Sequence, residues 1–177
     1  NLNIIFPVAK IPENNSYYNT PTVPVNASTN IPAQACNYSI DDAPSIPMTN
    51  RTLLEWNATT AVLAELTHNI TFYCSNGTTT TQSDYHYFTV DITPPTVTYE
   101  LPTEANTTAI GTNWTIINVS VDENTSTAYL QWANNSGIQN ITMTKVNGSS
   151  YWYNVSGLPD GQYNFTVYAN DSATNWG

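Results

Sequence analysis

A chain of 177 residues with 3 basic and 13 acidic side chains carries a net charge of −10, which disfavours nucleic acid and anionic membrane surfaces as partners. Charged residues make up only 9% of it, against about 25% in ordinary soluble domains, and Asn, Ser, Thr and Tyr fill the gap. No apolar run approaches the roughly 18 residues of a membrane-spanning helix. The 40% hydrophobic and 12% aromatic content argues against an unfolded polar stalk.

The chain begins at Asn1 with no positively charged leader, so the expectation is a removed signal peptide or an excerpt. Its first apolar segment holds Leu2, Ile4, Ile5, Phe6 and Val8. Further on, hydrophobicity alternates with period two, the pattern of half-buried strands. Ile70, Phe72 and Cys74 share one face, opposite Asn69, Thr71 and Tyr73. A strand over residues 85–91 precedes Thr93-Pro94-Pro95, a stiff, extended connector. Ile117, Val119 and Val121 share a face in the next segment, and Tyr163, Phe165, Val167 and Ala169 alternate with polar residues near the end.

Seventeen Asn-x-Ser/Thr sequons punctuate these segments, at Asn14, Asn26, Asn37, Asn50, Asn57, Asn69, Asn76, Asn106, Asn113, Asn118, Asn124, Asn134, Asn140, Asn147, Asn154, Asn164 and Asn170. Chance placement of the same composition gives about five or six. Such a density reads as covalent N-linked glycans on an extracellular or cell-surface protein. Asn69, Asn118 and Asn164 fall on the face opposite their strands' apolar residues, so strand parity and glycan placement agree.

An internal repeat of 95 residues organises the chain. Residues 69–74 fall on 164–169, Leu63 on Leu158, and Phe6-Pro7 on Leu101-Pro102. Each unit is about the length of an immunoglobulin-like sandwich. The expected architecture is therefore all-β: one sandwich over 1–92, a Thr-Pro-Pro linker at 93–95, and a second sandwich over 96–177, the two forming a rod. In the second unit, Asp160-Gly161-Gln162-Tyr163 resembles a tyrosine corner, one residue tighter than usual. His68 occupies the corresponding place in the first unit and reads as a surface or turn residue, the corner being lost or replaced.

Four segments carry a family resemblance: Cys36-Asn37-Tyr38-Ser39, the strand ending at Cys74, Phe88-Thr89-Val90-Asp91 before Thr-Pro-Pro, and residues 168–175. They resemble the tandem immunoglobulin-like repeats of archaeal cell-surface proteins, in which Cys-x-Tyr-Ser, Val-Tyr-Ala-x-Asp-x-Ala-x-Asn and Phe-Thr-Val-Asp recur. The first repeat departs from that pattern with Cys74-Ser75-Asn76-Gly77. The resemblance implies a fold and a place at the cell surface, not a reaction. For the two cysteines of an exported chain, one reading is a Cys36–Cys74 disulfide tying the two sheets of the first sandwich; the other is two free buried thiols.

Signals for chemistry are sparse. His68 and His86 lack metal-binding spacing, and no Gly-x-Ser-x-Gly motif occurs. The carboxylate pairs Asp41/Asp42 and Asp122/Glu123 read as solvated turn residues rather than glycosidase acid and base, so no enzyme is expected. Asp91, Asp122 and Asp171 offer hard oxygens to calcium as weak candidates, without EF-hand spacing; no other cofactor is expected. Lys10 and Lys145 are candidates for isopeptide crosslinks. Within Tyr151-Trp152-Tyr153, alternate members fill the core, leaving Trp152 outward against a neighbouring subunit or a glycan; with Trp132 the run also suggests a sugar-binding platform.

These signals point to a structural subunit of an extracellular filament, with other copies of itself as partners. The alternatives are a fragment of a surface-layer or adhesin stalk and a carbohydrate-binding module. The 95-residue period leaves residues 83–95 without a counterpart in the second repeat. Its last strand is then expected either in a continuing polypeptide or from a neighbouring subunit. In the second case Tyr163, Phe165 and Val167 mark the acceptor edge, and Leu2, Ile4, Ile5, Phe6 and Val8 the donor.

Overall fold

The structure, a computed structural model, describes residues 7–134 and 136–177. The chain divides into two compact units, Asn1–Ile92 and Thr93–Gly177. The described residues are strands, turns and irregular segments, with no helix long and apolar enough to cross a membrane.

The first unit runs β1 (Pro7–Ile11), β2 (Ser16–Tyr18), β3 (Pro24–Thr29), β4 (Ala35–Ile40), β5 (Ile46–Pro47), β6 (Thr49–Thr52), β7 (Glu55–Thr59), β8 (Thr67–Ser75), β9 (Thr80–Gln82) and β10 (His86–Val90). One sheet has the order β1-β3-β7-β6. The other has β2-β10-β8-β4-β5, with β9 beside β8. This is the immunoglobulin arrangement, A-B-E-D facing A′-G-F-C-C′. Alternation drives it: Val25 and Ala27 on β3, Tyr38 on β4, Ile70 and Phe72 on β8, and Phe88 and Val90 on β10 turn inward into one apolar core. Parity is not perfect on the outer side of β8. Thr71 is buried there, beside its register partner Ser39, over which the chain folds back so that the Ser39 hydroxyl donates to the Ala43 carbonyl.

Cys36 and Cys74 are joined in a disulfide, but not across the sandwich as the sequence suggested. They sit directly opposite each other on the antiparallel neighbours β4 and β8, so the bond staples two strands of one sheet. Both cysteines face the core, as alternation requires; only the strand order decides whether an inward pair meets within a sheet or between sheets.

The second unit runs β11 (Val97–Glu100), β12 (Trp114–Val121), β13 (Thr127–Asn134), β14 (Gly137–Thr142), β15 (Thr144–Lys145), β16 (Ser150–Ser156) and β17 (Asn164–Asn170). One sheet is β11-β12-β16-β15 and the other β14-β13-β17, again the A-B-E-D face and now C′-C-F. Ile117, Val119, Leu130, Tyr151 and Val167 form its core, with Trp132 stacked on Phe165 at 5.8 Å.

The corners of the two units correspond. Tyr163 Oη donates to the Pro159 carbonyl at 2.7 Å, four residues upstream. In the first unit His68 Nε2 donates to the Ala64 carbonyl at 3.0 Å, again four residues upstream. The reading of His68 as a surface or turn residue is thus corrected: it is 4% exposed, its ring tilted against that of Phe88 at 5.5 Å, and Nδ1 lies 2.7 Å from Asp41 Oδ2. The buried imidazole thus has a polar partner at each of its two ring nitrogens. Asp41 also accepts from the Asn69 N–H through Oδ1, at 2.9 Å. Its left-handed backbone (φ 51°) is a conformation that Asp tolerates better than most side chains and that these bonds support.

Candidate functional site

The glycosylation sequon and the β-strand share a period. In Asn-x-Ser/Thr on a strand, Asn and the hydroxyl residue face one side and the middle residue faces the other. In the first unit the middle residues Ala27, Tyr38 and Ile70 are buried, as are Val119 and Val155 in the second. Their asparagines therefore point outward. None of the seventeen sequon asparagines is buried. Asn26, Asn37, Asn69, Asn76, Asn118 and Asn170 are half-buried, and Asn14, Asn50, Asn57, Asn106, Asn113, Asn124, Asn134, Asn140, Asn147, Asn154 and Asn164 are exposed.

Several carboxamides are held by their oxygen, which orients the nitrogen that would bear a sugar. Asn14 Oδ1 accepts from the Tyr87 N–H at 2.8 Å, and Asn76 Oδ1 from Thr78 and Thr79 at 3.0 and 2.9 Å. Asn134, Asn147 and Asn170 accept from Ser136, Ser149 and Thr127 at 2.8, 2.9 and 3.1 Å. Asn118 instead uses its Nδ2, which donates to the Leu101 carbonyl at 2.9 Å.

The side chains weighed for catalysis or crosslinking have structural partners. His68 is engaged in its corner, and His86 Nδ1 lies 3.2 Å from the Pro12 carbonyl oxygen. Asp42 accepts from Tyr85 Oη at 2.7 Å, and that hydrogen bond, with the carboxylate charge, holds the Tyr85 hydroxyl above its ordinary range. Lys10 pairs with Glu55 at 3.5 Å, and Lys145 donates to the Thr125 carbonyl beside the Tyr151 ring. Neither lysine is placed against an Asn or Asp in these contacts.

Of the carboxylates weighed for calcium, Asp122 and Asp171 accept hydrogen bonds. Asp122 Oδ1 accepts from the Thr96 N–H at 2.8 Å, and that bond holds its carboxyl below the ordinary carboxylate value. Buried Asp171 takes the Asn175 N–H at 2.9 Å on one oxygen and the Asn175 Nδ2 at 2.8 Å on the other, closing the turn of the Asp-Ser-Ala-Thr-Asn motif. Asp91 ends the first unit, and its N–H donates to the Tyr18 carbonyl at 3.0 Å. Glu123 and Asp171 bring carboxylate oxygens within 4.8 Å of each other.

The acceptor edge predicted from sequence lies along β17. β13 pairs with one side of this strand. On the other side Gly177 pairs with Ala169 and Trp176 with Asn170, and the Val167 N–H donates to Tyr99 Oη at 3.1 Å. On the side away from β13, residues 162–165 have no strand beside them among the described residues, whereas the equivalent residues 67–70 of the first unit pair with His86–Thr89 of β10. Of the predicted donor segment, Val8 lies in β1, paired with Ser28 of β3. Leu2, Ile4, Ile5 and Phe6 fall outside the described residues.

No protein-family model matches the chain, and no curated protein matches it. Among solved structures, an engineered protein is similar over 50% of this chain and 20% of its own, at 10% identity and a TM-score of 0.42. A marsupial T cell receptor is similar over 94% of each chain, at 10% identity and 0.38. A tetra-tandem repeat from the extending region of a large adhesion protein is similar over 97% of this chain and 46% of its own, at 15% identity and 0.37. The chain spans less than half the length of the first and third of these.

Proposed function

We propose that this chain is a non-enzymatic, N-glycosylated structural unit of an archaeal extracellular surface assembly, a filament subunit whose partners are further copies of itself. The observation that carries the reading is the agreement of sequon and strand: seventeen attachment points, none buried, several with their middle residue in the core. An exported, oxidising setting also accounts for the disulfide. Glycopeptide mapping of native material tests the reading. Most sequons carry sugar; occupancy of fewer than roughly a third would overturn it.

Assembly by strand donation deepens this reading. A strand from a second copy adds to β17 beside residues 162–165, doing there what β10 does for β8. Because Val8 is paired at home, the donating residues are Leu2, Ile4, Ile5 and Phe6. Imaging of the native assembly at side-chain resolution tests it. A bare edge beside Phe165, or one filled by the same polypeptide as in a stalk, ends the donation proposal and leaves the glycan reading standing.

A further inference from the structure

The outer face of the β11-β12-β16-β15 sheet carries an open groove lined by Glu100, Pro102, Ile116, Asn118, Val146 and Trp152. Asn118 and Trp152 are directly opposed in the β12–β16 ladder. The Asn118 N–H donates to Thr103 Oγ1, and the same hydroxyl donates to the Asn118 carbonyl, so both backbone groups of Asn118 point to the β11 side. The pair with Trp152 is therefore a non-hydrogen-bonded one, the kind in which facing side chains approach most closely.

The Asn118 carboxamide is also aimed. Its Nδ2 donates to the Leu101 carbonyl, again on the β11 side. A glycosylated carboxamide keeps one N–H; with that hydrogen on Leu101, the other Nδ2 substituent is directed away from β11 and across the face toward β16. On that side stands its ladder partner Trp152, 39% exposed, beside the half-buried Ile116. A pyranose ring presents a row of C–H groups of partial positive charge, which complements the negative face of an indole.

We propose that the first sugar on Asn118 lies over the Trp152 ring in the groove, so that this glycan is part of the folded surface rather than a free tether. The proposal rests on the reading of the sequons as attachment points. Asn147 and Asn154 border the same face, but Asn147 is held in the β15–β16 turn by Ser149, and Asn154 faces Ile116 in the ladder rather than Trp152.

Hydroxyl-radical footprinting of the native glycoprotein, with Trp176 as internal reference, tests it. Trp152 oxidises more slowly in the glycosylated chain. The protection is lost both in Asn118→Gln and in Ser120→Ala, which removes the sequon without touching the Asn118–Leu101 bond. Protons of the first sugar also shift upfield, and that shift disappears in Trp152→Leu. If mapping finds Asn118 occupied while Trp152 oxidises equally with and without the sugar, the stacking is wrong and the glycan reading survives. An unoccupied Asn118 overturns both at this position. Protection that persists in Asn118→Gln but is lost in Asn154→Gln, or that appears only on assembly, assigns the groove to another occupant and overturns the proposal.

Discussion

At the scale of single residues, the two corners perform one task with different side chains. Tyr163 reaches the Pro159 carbonyl with a hydroxyl, and His68 reaches the Ala64 carbonyl with Nε2. The Asp-Gly-x-Tyr spacing made the first legible. The second was also within reach, because the 95-residue shift places His68 on Tyr163 and Ala64 on Pro159. What no local pattern reveals is Asp41, which is 27 residues from His68 in the chain and meets it only after β4 and β8 pair. Replacing His68 by Phe removes both hydrogen bonds and destabilises the first unit by about 1–3 kcal/mol. His68→Tyr changes the volume almost as much but restores a donor toward Ala64, so it should be the more stable variant by about 1 kcal/mol in urea denaturation. Equal midpoints for the two would remove the corner's role.

Asp122 gives a second test at this scale. The Thr96 N–H depresses its carboxyl below the ordinary value of 3.8, so the folded state binds the proton less readily than the unfolded chain. Its contribution to stability is present above that value and is lost as pH falls through the lower, folded one. In Asp122→Asn the fall of the unfolding midpoint below about pH 3.8 becomes shallower, and the carboxyl resonance of the parent titrates below the free value. A parent carboxyl titrating at the free value would refute the assignment.

Among the elements, period two identified inward and outward faces, and the inward pairs on β8, β12 and β17 follow it. Strand order was less legible, because alternation says which face a residue takes and nothing about which strand lies beside it. The disulfide shows the difference: two inward cysteines, correctly paired, joined within one sheet. Its stabilisation comes from the loop it closes, a separation of 38 residues. Restricting that loop in the unfolded chain is worth about 3–4 kcal/mol. Denaturant unfolding of the Cys36→Ala/Cys74→Ala double variant should show a loss of that order in the first unit, with the transition of the second unit unmoved. A loss below about 1 kcal/mol would mean that the unfolded chain is already constrained there.

For the molecule as a whole, the surface is unusual in what it lacks. Only 9% of residues are charged, yet Leu53, Val62, Leu101, Ile138 and Val146 are each more than 60% exposed. Ordinary soluble proteins keep such groups apart with mixed charge. On the proposed reading of the sequons as attachment points, that task falls to glycans on asparagines that point outward from both units, with the net charge of −10 adding repulsion between copies. Sugars that mostly meet water contribute little to the packing beneath them. Enzymatic or chemical removal of the glycans under non-denaturing conditions should therefore leave both units folded, with unfolding temperatures shifted by no more than about 4–8 °C, the equivalent of roughly 1 kcal/mol for units of this size. Solubility should fall sharply over the same treatment, read as a lower polyethylene glycol concentration at the precipitation midpoint and rising light scattering. The two readouts separate the roles: loss of the folded signal on glycan removal would make the sugars part of the core energetics. Unchanged solubility would mean that the polypeptide's own polar surface suffices.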